Sequence, residues 1–135
     1  MHRGSCLCGG VRYELDAAPG RIGLCHCRSC RKSNGSAYAA NVAVAEQDFH
    51  IVAGAELLKE FESSPGKQRV FCGTCGAPVY SRNEKRRGIV RLRIGLFDTP
   101  IQRRPEFHFM VADKAEWDEI CDNLPQYPGF EPGRR

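Results

Sequence analysis

Seven of the eight cysteines fall into three tight groups, Cys6-x-Cys8, Cys25-x-Cys27-x-x-Cys30 and Cys72-x-x-Cys75, while Cys121 stands apart. Thiolates at such spacing are ligands for a soft or borderline metal ion. The stretch CGTCG at 72–76 has the form of a zinc knuckle, in which two sulfurs bracket a tight turn and Gly73 and Gly76 let the backbone fold toward the metal. Cys6 and Cys8, followed by Gly9 and Gly10, make a second half-site on the same logic. Pairing Cys6 and Cys8 with Cys72 and Cys75 gives a closed tetrahedral zinc site of four thiolates. Such a site contributes on the order of 10 kcal/mol to folding.

CHCRSC at 25–30 is left with three sulfurs. Three protein ligands and an open fourth position are the pattern of a catalytic zinc. The expectation is therefore a second zinc on Cys25, Cys27 and Cys30, with water or a substrate atom in the fourth place. His26 is the competing fourth ligand, but in extended backbone a residue between two ligands points away from them. A single cluster mixing all seven thiolates is a third possibility. A zinc held by three thiolates is a mild Lewis acid suited to a substrate thiol, which it keeps ionised. The three cysteines then serve catalysis as ligands, not as nucleophiles.

The chain has 135 residues, 41% of them apolar, which fits one globular domain. Its apolar runs are too short to span a bilayer. The N-terminal MHRGSCLCGG lacks an apolar signal-peptide core, so the expected location is the cytoplasm. In a reducing compartment clustered cysteines read as metal ligands, not disulfides. Formal net charge is +4. Seven metal-bound thiolates with two divalent ions bring it to about +1, so basicity does not argue for a nucleic-acid partner.

The elements that must position these cysteines read as short strands. They are 11–15, 37–44, 48–52, 57–62, 68–72, 78–82, 89–95 and 106–111, with turn signals at Pro19-Gly20, Asn34-Gly35 and Pro65-Gly66. Eight short strands predict a mainly β single domain with little helix over 1–127, followed by a Pro/Gly-rich tail over 128–135. Only 113–124 has helical spacing, from a cap at Asp113 through Trp117, Ile120, Cys121 and Leu124; a short turn would serve as well.

Several other side chains could serve a site. Arg31 and Lys32 directly follow Cys30 and could hold an anionic substrate; Asn34, Gly35 and Ser36 could donate to an aldehyde oxygen. Arg91 and Arg93 share one face of a strand. That face is expected to be solvated, the alternative being an anion patch with Arg82, Lys85, Arg86 and Arg87. His108 reads as a hydrogen-bonded core histidine, Trp117 as core and Cys121 as a buried free thiol.

The order GSCLCGG, CHCRSCRKSNG, FCGTCGAP, then PEFHFMVADKAEW, over about residues 4 to 127, resembles the glutathione-dependent formaldehyde-activating enzymes and their centromere-protein-V relatives. The resemblance implies a zinc-binding β-tent fold like that of the Rab-interacting zinc protein group. It implies a structural zinc on Cys6, Cys8, Cys72 and Cys75 and a catalytic zinc on Cys25, Cys27 and Cys30. The implied activity is that of a carbon–sulfur lyase joining formaldehyde and glutathione. The expected partners are thus a small-molecule thiol and an aldehyde. A zinc-stabilised binding module without chemistry is the alternative, and it predicts a closed second site.

Overall fold

Alternation decides which face of each strand is covered. Val11, Tyr13 and Leu15 are all buried, whereas Arg12 between them is exposed. The computed structural model describes all 135 residues. Ten strands form: β1 (His2–Ser5), β2 (Arg12–Leu15), β3 (Ile22–Cys25), β4 (Ala39–Ala45), β5 (Phe49–Ala53), β6 (Leu58–Ser64), β7 (Lys67–Cys72), β8 (Pro78–Asn83), β9 (Ile89–Arg93) and β10 (Pro105–Phe109). One short α-helix, α1 (Arg28–Asn34), follows β3. The eight expected strands are all present, so the chain is mainly β. Two more, β1 and β3, are too short to show a period.

β1, β2 and β5 make a three-stranded antiparallel sheet. The other seven strands make a second sheet in the order β10-β3-β4-β9-β8-β7-β6, antiparallel except where β10 runs parallel to β3. The main core joins the two sheets: Tyr13 and Leu15 pack with Val42, Val44, Val79, Val90 and Leu92, and Cys6 and Cys72 belong to the same cluster. Tyr13 presents its ring edge to Phe49 and Phe97 at 5.3 and 5.8 Å. A smaller cluster of Cys25, Cys30, Ala39, Phe107 and Phe109 sits where β10 meets β3.

The helical spacing over 113–124 does not produce a helix; the segment is a 3-10 turn ending at Asp113 followed by irregular chain. Two competitors win. The Asp122 carboxylate accepts the Leu124 amide, and the chain beyond runs beside β10, with His108 and Tyr127 exchanging backbone hydrogen bonds with Pro125 and His108. Trp117 is consequently 66% exposed instead of core, and Cys121 is exposed instead of buried. No helix of the structure is long and apolar enough to cross a membrane.

Candidate metal centres and the cavity beside the second

Cys6 directly follows β1 and Cys72 ends β7; the three-stranded sheet packing on the large one brings them together. The Sγ atoms of Cys6, Cys8, Cys72 and Cys75 all lie within 4.8 Å of one another. Cys6 and Cys8 are 3.5 Å apart, and Cys8 and Cys72 are 3.9 Å apart. Four sulfurs about 2.3 Å from one zinc sit about 3.8 Å from each other in a tetrahedron, so this donor set fits zinc. Gly9 and Gly76 both take positive φ, +76° and +78°, which lets each knuckle close. The Gly76 amide returns to the Cys72 carbonyl at 2.7 Å, and the Val11 amide donates to Cys6 Sγ at 3.2 Å. Cys75 is drawn down to about 6, first by the Ala77 amide, an arrangement that favours thiolate.

Cys25, Cys27 and Cys30 form the second cluster, again within 4.8 Å. β3 delivers Cys25, and the chain then turns into α1, whose N-cap is Cys27. Cys27 is extended, and its sulfur accepts the Cys30 amide at 3.3 Å, a sulfur version of an N-cap. Gly35 closes the helix in the left-handed conformation. Three thiols this close cannot ionise independently. Hydrogen bonding to Cys27 and Cys30 pushes the Cys25 thiol far up, whereas hydrogen bonds from Cys25 and Cys27, helped by Arg69 and Arg93, bring Cys30 down to about 2. A cation that relieves all three is the chemical complement of this set.

His26 does not join the cluster. Its side chain is fully buried on the other side of the strand, where Nε2 lies 2.8 Å from His108 Nδ1. His108 Nε2 lies 2.9 Å from the Asp122 carboxylate, which can only accept. His108 therefore donates from Nε2 and accepts at Nδ1 from the His26 Nε2–H. The parallel pairing of β3 with β10 places Phe109 opposite Cys25 and makes this chain possible. His108 is thus the hydrogen-bonded core histidine its aromatic setting suggests.

A cavity of about 630 Å³ opens beside the second cluster, lined by all three cysteines. Its other walls come from β4, β7, β8, β9, the turn after β8, and the tail through Phe130 and Arg134. Arg91 and Arg93 are not on a solvated face: they are 8% and 4% exposed. Cross-strand register explains this. Ala43, Arg91, Ser81 and Arg69 stand in one row across four strands, on the sheet face away from Val90 and Leu92, and Arg91, Ser81 and Arg69 of that row line the cavity. Arg93 donates to Asn41 Oδ1 at 2.8 Å, and Arg69 donates to Ser63 Oγ and reaches Cys30 Sγ at 3.7 Å.

Of the candidate anion-binding residues, Arg82, Lys85, Arg86 and Arg91 line the cavity, and Arg87 and Arg93 do not. Arg31, Lys32 and Asn34 lie on α1 outside its lining. Lys67, Arg69 and Arg134 are cationic walls that the sequence reasoning did not single out; the strand parity of Lys67 and Arg69 against buried Val70 was the available signal. Burial, with Arg69 and Arg91 alongside, lowers Lys67 to about 8.

Fold and clusters together define a small cysteine-rich β protein with two places able to hold a metal ion. The chain belongs to the family of the glutathione-dependent formaldehyde-activating enzymes, whose profile matches residues 1–113. A Halomonas elongata protein provisionally named for that activity is 32% identical over 126 residues, spanning 87% of this chain and 79% of its own. An Aspergillus flavus protein with the same provisional name is 26% identical over 128 residues, and this chain spans 58% of its length. A Schizosaccharomyces pombe protein named as an uncharacterized lyase is 27% identical over 79 residues, 58% of this chain and 56% of that one. The crystal structure of a Rhodobacter sphaeroides protein superimposes with a TM-score of 0.64 at 22% identity, over 76% of this chain and 97% of that one, a likeness of fold.

Proposed function

We propose that this protein is a zinc-dependent carbon–sulfur lyase that joins a small thiol of the glutathione kind to formaldehyde or a similar aldehyde, or runs the reverse. The observation that carries the reading is the second cluster: three sulfurs, His26 turned away to His108, and a cavity of cationic walls beside them. Cys6, Cys8, Cys72 and Cys75 hold the structural zinc, and Cys25, Cys27 and Cys30 hold the second. A zinc bound there supplies a coordination position and lowers the pKa of a thiol that takes it. The free state of all eight cysteines suits a reducing compartment such as the cytoplasm.

The chain's own groups account for the rest of the chemistry. In the forward direction the thiol gives up its S–H proton, its sulfur forms the C–S bond, the carbonyl π pair moves to oxygen, and that oxygen takes a proton. The cavity cations stabilise the oxygen as its charge develops. Lys67, at about 8, is the cation best able to give up a proton near neutral pH. Arg69 and Arg93 hold negative charge on the sulfurs. The His26–His108–Asp122 chain fixes the backbone between Cys25 and Cys27. A fully closed second site, as a binding module requires, would need a fourth ligand that none of the neighbouring His, Cys, Asp or Glu residues supplies.

The test is the formation rate of S-(hydroxymethyl)glutathione, followed by NMR line exchange, with zinc-replete protein and its Cys27→Ser variant. Acceleration by the wild type and its loss in a folded variant is the expected result. No acceleration over buffer, or equal acceleration by both proteins, would overturn the reading.

A further inference from the structure

The charge inventory of the cavity is lopsided. Seven lysines and arginines line it and no aspartate or glutamate does. Two of the seven are paired outside the lining, Arg82 with Glu60 and Arg134 with Glu131. Arg91 donates to the main-chain oxygen of Arg135. Lys67, Arg69, Lys85 and Arg86 are in no ion pair at all. Arg91 is in no ion pair either, and three thiolates around one divalent ion carry a single negative charge, so about four positive charges remain for a ligand to meet.

Glutathione matches this poorly. Its two carboxylates find arginines, but its α-ammonium finds no carboxylate on the cavity wall and stands among like charges. A phosphate monoester matches it well, being close to dianionic at neutral pH with three acceptor oxygens that guanidinium and ammonium groups grip. The cations also come from separate places. Lys67 and Arg69 belong to β7, and Arg69 touches Cys30 Sγ. Lys85 and Arg86 belong to the turn after β8, which contributes no sulfur.

Resting on the reading that a substrate thiol meets the second cluster, we propose that this cavity accepts glutathione-like thiols but prefers a thiol whose chain carries a phosphate ester and no free amine. Pantetheine 4′-phosphate, pantetheine and glutathione are the probes, titrated calorimetrically into the zinc-replete full chain at low salt. The phosphate ester binds about tenfold or more tightly than either of the others. The double variant Lys85→Ala, Arg86→Ala abolishes that advantage. Arg87→Ala, in the same turn but outside the cavity, keeps it. Glutathione binding as tightly as the phosphate ester, or an advantage that survives the double variant, overturns the proposal. S-methyl pantetheine 4′-phosphate separates the two levels of the argument. If it binds as tightly as the free thiol while the phosphate advantage holds, the thiol reading of the second cluster fails and the phosphate selectivity stands. If the free thiol is favoured but phosphate adds nothing, the thiol reading stands and the selectivity fails.

Discussion

Replacing one cysteine in each cluster should separate their roles. Cys72 is fully buried in the core that joins the two sheets, and its partner Cys8 is 64 residues away. A metal linking such distant segments closes a long loop, removing far more unfolded-state entropy than a link within a short one. Cys72→Ser removes one of the four clustered sulfurs and leaves a hydroxyl in a dry core. If half of the roughly 10 kcal/mol of a structural zinc is lost, about 5 kcal/mol goes, comparable to the whole stability of a marginal domain. At roughly 4 °C per kcal/mol for a chain of this size, the melting temperature falls by about 20 °C. Cys27→Ser differs in every respect. The second cluster spans six consecutive positions, so a metal bound there would close only a short loop. Cys27 caps α1 through a sulfur that accepts the Cys30 amide, and serine caps better still. The net cost is then about 1 kcal/mol and the melting temperature stays within about 5 °C of wild type. The assay is differential scanning calorimetry beside metal analysis of freshly purified protein. Two zincs in wild type, one in Cys27→Ser, and a collapsed transition only in Cys72→Ser are expected. A Cys27→Ser protein that melts as low as Cys72→Ser, or a Cys72→Ser protein that melts like wild type, would refute the division into structural and open sites.

Gly54→Ala should destabilise by about 3 kcal/mol or more, seen as a shifted urea midpoint, because φ is +78° and an added Cβ would stand 2.1 Å from the Gly10 carbonyl oxygen. Lys67→Met should stabilise at pH 7 by about 1 to 2 kcal/mol after allowing for partial solvation. The Lys67 pKa is depressed from 10.5 to about 8, so between those values the unfolded wild type binds more protons than the folded one. Wild-type stability therefore climbs relative to the variant across that window, and pH-dependent melting curves that run parallel from 7 to 11 would contradict the assignment. The hydrogen bond to His108 lowers the Asp122 carboxyl below its ordinary 3.8. Its stabilising contribution is present above that value and is lost as pH falls through the lower folded one, so Asp122→Asn should be less stable than wild type at pH 6 and indistinguishable in strong acid.

The cysteine clusters were legible because spacing is a local property: CxC, CxCxxC and CxxC announce themselves within a few residues. Strands with one buried face were legible through alternation. β3, whose four residues are all buried, has no alternation to read, and β1 has only four residues. α1 escaped notice because only Cys30 of its seven residues is buried, which leaves no periodic stripe. The spacing over 113–124 misled in the opposite direction. Apolar residues at helical intervals form a helix only where a surface waits for them, and here Trp117 and Ile120 face outward or sideways while Asp122 takes the Leu124 amide.

The arginines show a different kind of limit. Alternation established that Arg91 and Arg93 share a face, but not that they would be buried, because the groups they meet lie far along the chain: Arg91 reaches the Arg135 main-chain oxygen and Arg93 reaches Asn41. Burying Arg93 at 4% exposure costs desolvation, and its pKa is lowered for that reason first. The Asn41 hydrogen bond satisfies one nitrogen, while Nε has no partner. Negative charge on Cys30 and Cys25 acts the other way and holds the guanidinium charged. The same pairing lowers Cys30. Cationic floor and sulfur cluster thus stabilise each other's ionised forms, and neither would sit in a half-closed cavity at this density alone. Once a divalent ion takes up most of the thiolate charge, the floor is left with positive charge that nothing else in the chain neutralises. A site with that residue of charge is suited to an anionic ligand.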